Sequence, residues 1–421
     1  MMEKINRYKN QIRSLESVFK VIHEKFLEGM PVDRELSAFF RKNRRFGSND
    51  RRFISNTIFG YFRWYGWLRQ IEPDKDRLAL LLGYLLDGQL VDDRVFHWAE
   101  SLVAHPGLLD FKRFQNSTSL PEKADLLSEM IGPVSISSLN PSYVEEWSIE
   151  RMTSFQTRPP VWLRMEQTNA RSFLDTLNSR QINYRYQVQY PKTLEILSPI
   201  NINEYKEFRR GWVEIQDISS QAVGLICDPA EGDNWWDVCA GSGGKALHLS
   251  ALMGTQGKVF ATEISDSMFR ELNRRIRKNR RWSNIHPGKW DGLKVPDFSQ
   301  GFDGVLIDAP CSCSGTWRRN PELRWRIKRE QVDAYARVQL SLLQLCCGSV
   351  CENGVLVYAT CSLFPEENDR VIEAFLESHQ EFSLERVKNP FTGEYSEKGL
   401  TVAPPETDGN GMYIARMIKS G

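Results

Sequence analysis

The sequence of 421 residues contains no long apolar run; the longest, LALLLGYLL at residues 78–86, is far shorter than the ~20 residues a membrane-spanning helix needs and reads as a buried helix. No cysteine occurs before Cys227, and all eight lie between Cys227 and Cys361. That clustering excludes the spread-out disulfide framework of a small secreted domain and points to a reducing, cytoplasmic compartment in which thiols stay usable. The opening MMEKINRYKN is charged from Glu3 onward and lacks the apolar stretch of a secretory signal. There is no internal repeat and no low-complexity segment. A nucleotide-binding P-loop is excluded as well: Cys239 stands where its first glycine belongs, and Ala246 follows Lys245 in place of Ser or Thr.

What is present is an uneven distribution of charge. The formal net charge is only +1, yet residues 1–70 hold 15 Lys/Arg against 7 Asp/Glu. A second basic block, FRELNRRIRKNRR, covers residues 269–281, and a third, RRNPELRWRIKR, covers residues 318–329. A near-neutral chain with local basic faces suits an enzyme that handles a polyanion.

Periodicity divides the chain into three parts. Leu15, Val18, Phe19, Ile22 and Phe26 follow one helical stripe, and Ile54, Ile58, Tyr61, Phe62 and Tyr65 another, so residues 1–140 are expected to form a helical domain. Trp64, Trp67 and Trp98 fit its core better than an RNA-stacking surface. FQNSTSLPEK at residues 114–123 reads as a loop, as does SSLNPS ending near residue 142. Residues 141–205 mix strand-like and helical runs in a small α+β module. From 206 to 421 strand-like runs (WWDVC, KVFATEI, FDGVLIDA, GVLVYAT, GMYIARMI) alternate with helical ones, the pattern of an α/β domain with a mostly parallel, doubly wound, Rossmann-like sheet.

Three strand-like runs end in residues with chemical potential. After WWDV comes a glycine-rich turn with the spacing Gly241-x-Gly243-x-x-Ala246, and Glu263 follows 20 residues after Gly243. Glycines allow a ligand to approach the backbone, and the acid can accept bonds from ribose hydroxyls. A nicotinamide dinucleotide and S-adenosylmethionine suit this pattern about equally, and a turn that merely starts a helix is the plainer alternative. Cys311 ends VLIDAPC and Cys361 ends GVLVYATC. Ligands of open α/β sheets sit just outside the carboxyl ends of the strands, so both thiols fall where such a sheet does its chemistry. A lone strand-end cysteine is usually structural; two of them, one preceded at three residues by Asp308, shift the balance toward covalent catalysis.

DVCAGSGGK, LIDAPCSCSGTWRRNPELRWR and YATCSLFPEENDRVI, in that order, resemble the signature motifs of the Nop2/Sun family of RNA cytosine-5 methyltransferases, in particular its bacterial branch acting on 16S ribosomal RNA. GWVEIQDISSQAV (residues 211–223) resembles the family's segment leading into the methyltransferase domain, and DGNGMYIARM its closing strand. More weakly, SNDRRFISNTIFGYFRW (residues 48–64) resembles the helical NusB-like, antitermination-factor-type RNA-binding domain of bacterial members.

The resemblance implies methylation of carbon 5 of a cytosine, with Cys361 as nucleophile, Cys311 assisting product release and Asp308 bonding the cytosine edge. Carbon 5 is a weak nucleophile, and thiolate addition at carbon 6 activates it, which is why covalent catalysis suits this reaction. The resemblance also implies S-adenosylmethionine contacts along Cys239, Ala240, Gly241, Ser242, Gly243, Gly244 and Lys245, with Glu263 at the ribose, Asp291 toward the adenine and Asp308 toward the methionine end. The sequence departs from the family where Gly241-Ser242 replaces Ala-Pro, where Glu263 replaces the commoner Asp, and where Gly411-Met412 replaces a Gly followed by an aromatic pair.

A thiol with an ordinary pKa near 8.5 needs an electropositive setting to act as nucleophile, and Lys245 with the Arg318-Arg319 pair are the candidates. Lys245, Arg318, Arg319 and Arg324 are also candidate RNA contacts, because GTWRRNPELRWR follows Cys311 directly. Phe269, Leu272 and Ile276 would face inward from the second basic block and leave most of its arginines in solvent. A DNA-type enzyme with Cys311 as nucleophile would lack the second thiol. Metal binding by Cys311, Cys313, Cys346, Cys347 and Cys351 is disfavoured by their spacing, so no metal is expected. Cys346 and Cys347, within LSLLQLCCGSV, read as core. The expected partner is RNA, ribosomal RNA or a small-subunit particle foremost, with no membrane and the chain acting as a monomer. Transfer RNA as substrate, or a non-catalytic RNA-binding assembly factor, stand as alternatives.

Overall fold

The computed structural model describes the chain except residues 1, 73–74, 103–109, 145–146, 166–169, 279–281, 294, 296–297 and 299–300. It forms two compact units: Met1–Arg158 with Trp317–Ile327, and Pro159–Thr316 with Lys328–Gly421. The division therefore differs from the expected boundaries at 140 and 205, and an eleven-residue stretch far along the chain belongs to the helical unit. Among the described residues no helix is long and apolar enough to cross a membrane.

The first unit is helical. Met2–Leu27 buries Leu15, Val18, Phe19, Ile22 and Phe26 along one stripe, and Ser48–Arg63 buries Ile54, Ile58, Tyr61 and Phe62. The latter helix stops at Arg63, so Tyr65, expected on the same stripe, opens the separate short helix Tyr65–Leu68. LALLLGYLL lies in the helix Asp76–Leu86, and Ala79–Leu86 are all buried. Trp64, Trp67 and Trp98 are fully buried. The presumed loop at 114–123 is narrower than its composition implied, because Leu120–Ile131 is a helix. Ser119 caps it, accepting from the Glu122 N–H while the Glu122 carboxylate accepts from the Ser119 N–H. That reciprocal pair satisfies two orphan donors, and Pro121 is tolerated because the first turn needs no N–H donor.

Among the described residues the second unit contains two sheets, of four and eight strands, and a separate two-stranded ribbon. The smaller has strands β1 (Val161–Met165), β2 (Tyr184–Tyr186), β3 (Thr193–Ile196) and β4 (Val213–Ile215), in the order β2-β3-β1-β4 with antiparallel pairing. Its fourth strand comes from beyond residue 205, so the small module draws on residues assigned by sequence to the catalytic domain.

The larger sheet has eight strands. β5 (Asn234–Asp237), β6 (Lys258–Glu263), β7 (Ile285–Lys289), β8 (Phe302–Asp308) and β9 (Val350–Thr360) pair in parallel. After β10 (Phe382–Leu384), the strands β11 (Val387–Lys388) and β12 (Tyr395–Ser396) form a separate ribbon. β13 (Leu400–Val402) and β14 (Met412–Lys419) return to the large sheet, where β14 runs antiparallel to β9. The order β10-β14-β9-β8-β5-β6-β7 reverses direction between β8 and β5. Such a switch point opens a crevice at the strand carboxyl ends. Side chains alternate across the sheet: Leu306 packs with Ile218, Leu247 and Leu272 on one face, whereas Val305 and Ile307 pack with Leu343, Val371 and Phe375 on the other. Two buried apolar layers explain the continuous Val/Ile/Leu character of the strands.

Candidate active site

The turn after β5 is shaped by two glycines in the left-handed region, Gly241 at φ 55° and Gly243 at φ 90°. A Cβ on Gly243 would also lie 2.5 Å from Leu272 Cδ1, so the helix Asp266–Arg277 can pack against the turn only because no side chain is there. Glu263, at the end of β6, accepts from the Gly241 N–H at 2.8 Å and, through its other oxygen, from the Ser265 N–H at 2.6 Å. A carboxylate has about four lone-pair sites, which leaves capacity for two further donors such as ribose hydroxyls.

Where the family pattern has Ala-Pro, Gly241-Ser242 is braced from outside. Arg275 donates to the Ser242 carbonyl at 3.0 Å and to its hydroxyl at 3.2 Å, and pairs with Glu214 of β4 at 2.8 Å. In the second basic block Leu272 is fully buried and Phe269 and Ile276 partly so, as its periodicity implied. Arg275 is the exception to the solvated face, and basic density alone gave no sign of that inward role. Arg280 and Arg281 lie outside the described residues.

A cavity of about 400 Å³ opens beside the turn, lined in part by Cys239, Glu263, Trp290, Gly292, Asp308 and Pro310. Its size is that of a site for one small organic ligand. Asp291 is exposed and accepts from the Leu293 N–H at 2.9 Å, while its neighbours Trp290 and Gly292 face the cavity. Of the expected cofactor contacts, Cys239, Glu263 and Asp308 line this crevice, while the Gly241 N–H meets it through Glu263 and Lys245 through Asp308.

Register brings the two cysteines together. Asp308 pairs with Ala359, and the Ala309 N–H donates to the Ala359 carbonyl at 2.9 Å, so β8 and β9 end level. Cys311 and Cys361 leave these adjacent ends with their sulfurs 3.3 Å apart. Lys245 donates to Asp308 at 2.6 Å; burial opposes its charge, but the carboxylates of Asp308 and Asp237, together with Cys361, hold it protonated above the ordinary lysine range.

A third thiol, Cys313, completes a group whose sulfurs lie within 4.8 Å of one another. Its backbone sits at φ 57°, a left-handed conformation costing a non-glycine residue about 1 kcal/mol or more. Three sulfurs in contact cannot all ionise. The contact with Cys311 favours the Cys361 thiolate, but Cys313 and burial outweigh it and push the thiol well above its ordinary value. Contact with Cys313, then Cys361, then burial does the same to Cys311. The lowest-lying ionisation is drawn to Cys313 by the other two thiols, against its burial. Cys346 and Cys347 are buried core, as their setting implied.

Gly315 lies close behind this loop. Its N–H donates to the Cys361 carbonyl at 2.9 Å, and a Cβ on it would fall 2.2 Å from the Gly411 carbonyl oxygen. The close approach accounts for both glycines, including the Gly411 that precedes Met412.

The third basic block needs correction. Arg318 and Arg324 are buried within the first unit and are not offered to RNA. Arg318 donates to the Thr157 hydroxyl at 2.8 Å, and Arg324 donates to the Leu139 carbonyl at 2.9 Å beneath Trp317. Burial lowers the Arg324 pKa to about 9, with the like charge of Arg63 adding to it. A guanidinium can be buried where carbonyls receive it, and helix ends and loops of that unit supply them. Arg319 remains exposed. The cation beside the thiols is therefore Lys245.

Residues 224–418 match the model of the family described as 16S rRNA methyltransferase RsmB/F. Ribosomal RNA small subunit methyltransferase B of Yersinia pestis bv. Antiqua (strain Angola) is 31% identical over 289 residues, which span 68% of this chain and 65% of the relative. Among solved structures, PH0851 superposes with a TM-score of 0.74 at 22% identity, covering 96% of this chain and 99% of its own; at that identity it shows the fold. A methyltransferase homolog protein from Pyrococcus horikoshii gives a TM-score of 0.55 at 25% identity, over 64% of this chain and 90% of its own. The crevice and its two thiols thus lie within the stretch that matches the RsmB/F methyltransferase family, and the chain spans less than two thirds of the length of the curated relatives it matches.

Proposed function

We propose that this chain methylates carbon 5 of a cytosine in ribosomal RNA, using S-adenosylmethionine and a covalent cysteine–cytosine intermediate. The observation that carries the reading is the pair of sulfurs, Cys311 and Cys361, 3.3 Å apart at the level ends of β8 and β9 and flanked by the Lys245–Asp308 pair. The ribosomal substrate rests on the family description and on the curated relatives, named for small-subunit ribosomal RNA.

The residues present fit the cofactor: a glycine turn without obstructing side chains, Glu263 with unused acceptor capacity, and a cavity of suitable size bounded by Trp290 and Asp308. Bound there, S-adenosylmethionine supplies an electrophilic methyl group. The protein's own groups act on the base. The Cys361 thiolate forms a bond to carbon 6, the C5–C6 double bond opens, and carbon 5 gains the electron density needed to accept a methyl. Asp308, held by Lys245, bonds the cytosine edge and stabilises the activated ring. Loss of the proton on carbon 5 re-forms the double bond and expels Cys361, with Cys311 placed against the departing sulfur. The raised pKa of Cys361 in the RNA-free state means that its proton must leave as the base enters, with Lys245 favouring the thiolate.

The target cytosine must be unstacked to reach carbon 6. Exposed Arg41, Lys42, Arg44, Arg45 and Arg52 on the first unit supply salt-sensitive affinity for the phosphate backbone. The test is transfer of labelled methyl to separated ribosomal and transfer RNA, with 5-methylcytosine identified in the digest. Label in ribosomal RNA, lost in Cys361→Ala, is expected; label confined to transfer RNA would change the substrate, and none in RNA or ribosomal particles would leave an RNA-binding assembly factor.

A further inference from the structure

Immediately after the second cysteine loop lies a buried carboxylate that the reaction does not use directly. Glu367 is fully buried, at the end of the short 3-10 turn Pro365–Glu367. One oxygen accepts from the Ser312 backbone N–H at 2.9 Å and from Gln339 Nε2 at 3.0 Å. The other accepts from the hydroxyls of Ser312 and Ser362. Ser312 and Ser362 are the residues directly after Cys311 and Cys361, and their hydroxyls lie 3.1 Å apart. One carboxylate thus grips both cysteine loops at corresponding positions.

The neighbours complete the grip. Gln339 Nε2 also donates to the Pro310 carbonyl at 2.9 Å, so Cys311 is held on both sides. Asn368 accepts from the Thr360 hydroxyl at 2.7 Å and donates to the Ser362 carbonyl at 3.0 Å, so Cys361 is held on both sides too. Burying a carboxylate is costly unless several donors compensate, and here the donors come from the two segments whose spacing matters to the chemistry. A core needing only stability would be served as well by apolar side chains.

We infer that Glu367 is the positioning residue of this active site, setting the Cys311 and Cys361 sulfurs against each other through Ser312 and Ser362. The inference rests on the covalent reaction proposed above. Glu367 touches neither sulfur. It fixes the backbone on which each sulfur is carried, and a displacement of about 1 Å in a reacting group can cost about 10²-fold in rate.

Glu367→Gln keeps the volume but replaces one acceptor by a donor. The amide can turn its oxygen toward the Ser312 N–H and Gln339 Nε2 and its NH2 toward the serine hydroxyls, which rotate to accept from it; the charge-assisted bonds then become weaker neutral ones, so the grip loosens on both cysteine loops. The experiment measures single-turnover methyl transfer, the KM for RNA, S-adenosylmethionine affinity and the melting temperature. It also follows closure of the Cys311–Cys361 disulfide by diamide, in which the two thiols give two electrons and two protons to the azo group. Expected for Glu367→Gln is a fall of about tenfold to 100-fold in the single-turnover rate and a slowing of disulfide closure by about tenfold, with KM and cofactor affinity within twofold. Glu367→Asp retains the charge but withdraws it by one methylene, and is expected not to rescue either rate.

Should Glu367→Gln fail to fold, the double variant Ser312→Ala/Ser362→Ala removes both hydroxyl contacts while leaving the carboxylate its two N–H donors, and is expected to slow both rates by several-fold. Unchanged disulfide closure and single-turnover rate in a folded variant would overturn the inference. A wild-type chain that closes the disulfide quickly yet transfers no methyl would defeat the reaction, while slower closure in Glu367→Gln would still uphold the positioning role.

Discussion

Both units bury polar and charged side chains, but to different ends. In the first unit, Arg63 pairs with Asp87 at 2.7 Å and donates to the Arg318 carbonyl at 2.6 Å, and Arg324 reaches the Leu139 carbonyl. These cations end on backbone acceptors and a carboxylate of their own unit and present nothing to solvent. In the second unit, Lys245, Asp308, Cys311 and Cys361 gather at the strand ends, Asp308 lines the cavity, and the thiols contact one another instead of strong partners. Buried polar groups turned toward acceptors inside their own unit hold structure together; those gathered beside an opening are available for chemistry.

Substitutions at the two places should separate these roles. Cys361→Ala should reduce methyl transfer by about 10³-fold or more, while urea denaturation shows stability within about 1 kcal/mol of wild type. Arg324→Ala should do the reverse at lower magnitude, destabilising the first unit by roughly 3–5 kcal/mol because its acceptors lose a buried charged donor. At a temperature where it stays folded, its cofactor affinity should match wild type. If Arg324→Ala instead left stability intact and abolished RNA binding, the buried placement of that guanidinium would be contradicted.

Asp237 and Arg275 separate the two kinds of buried group further. Burial, and then the charge of Asp308, push the fully buried Asp237 carboxyl up to about 8. The folded state therefore keeps a proton that the unfolded chain gives up near its ordinary value of 3.8. Between those values the unfolded state binds fewer protons, so this group's contribution to stability falls as pH rises, by up to roughly 1.4 kcal/mol per pH unit, and levels off above the folded pKa. Asp237→Asn should flatten that slope in melting curves taken from pH 5 to 9. Arg275→Ala should weaken S-adenosylmethionine binding by about tenfold, measured calorimetrically, because the turn loses its external brace. Smallest, Arg44→Glu with Arg45→Glu should weaken RNA binding several-fold and lower the slope of log affinity against log salt, leaving stability unchanged.

Much of the second unit was legible because its strands are buried on both faces and end in residues that only a crevice explains. The glycine turn, Glu263, Asp308 and the two cysteines could all be placed from spacing and motif. The fate of individual arginines was not legible: Arg275, Arg318 and Arg324 lie in basic runs like that of Arg41–Arg52, and what buries them is an acceptor supplied from elsewhere in the fold. Glu367 and Asn368 lie within the YATCSLFPEENDRVI motif, which drew attention only to its cysteine. An acid and an amide placed just before an apolar helix and a few residues after a strand-end cysteine were the available signal. The place of Cys313 beside the other two thiols was not legible for a different reason: its backbone sits at φ 57°, a left-handed conformation that spacing does not announce for a cysteine.

Which thiol bonds to RNA decides the roles of Cys311 and Cys361. Wild-type protein, Cys311→Ala and Cys361→Ala are incubated with ribosomal RNA and S-adenosylmethionine, denatured, and examined for protein–RNA adducts by gel mobility and mass spectrometry. The assigned roles predict a persistent adduct on Cys361 in Cys311→Ala, where expulsion is impaired, and none in Cys361→Ala. An adduct in Cys361→Ala with none in Cys311→Ala would contradict that assignment and make Cys311 the nucleophile.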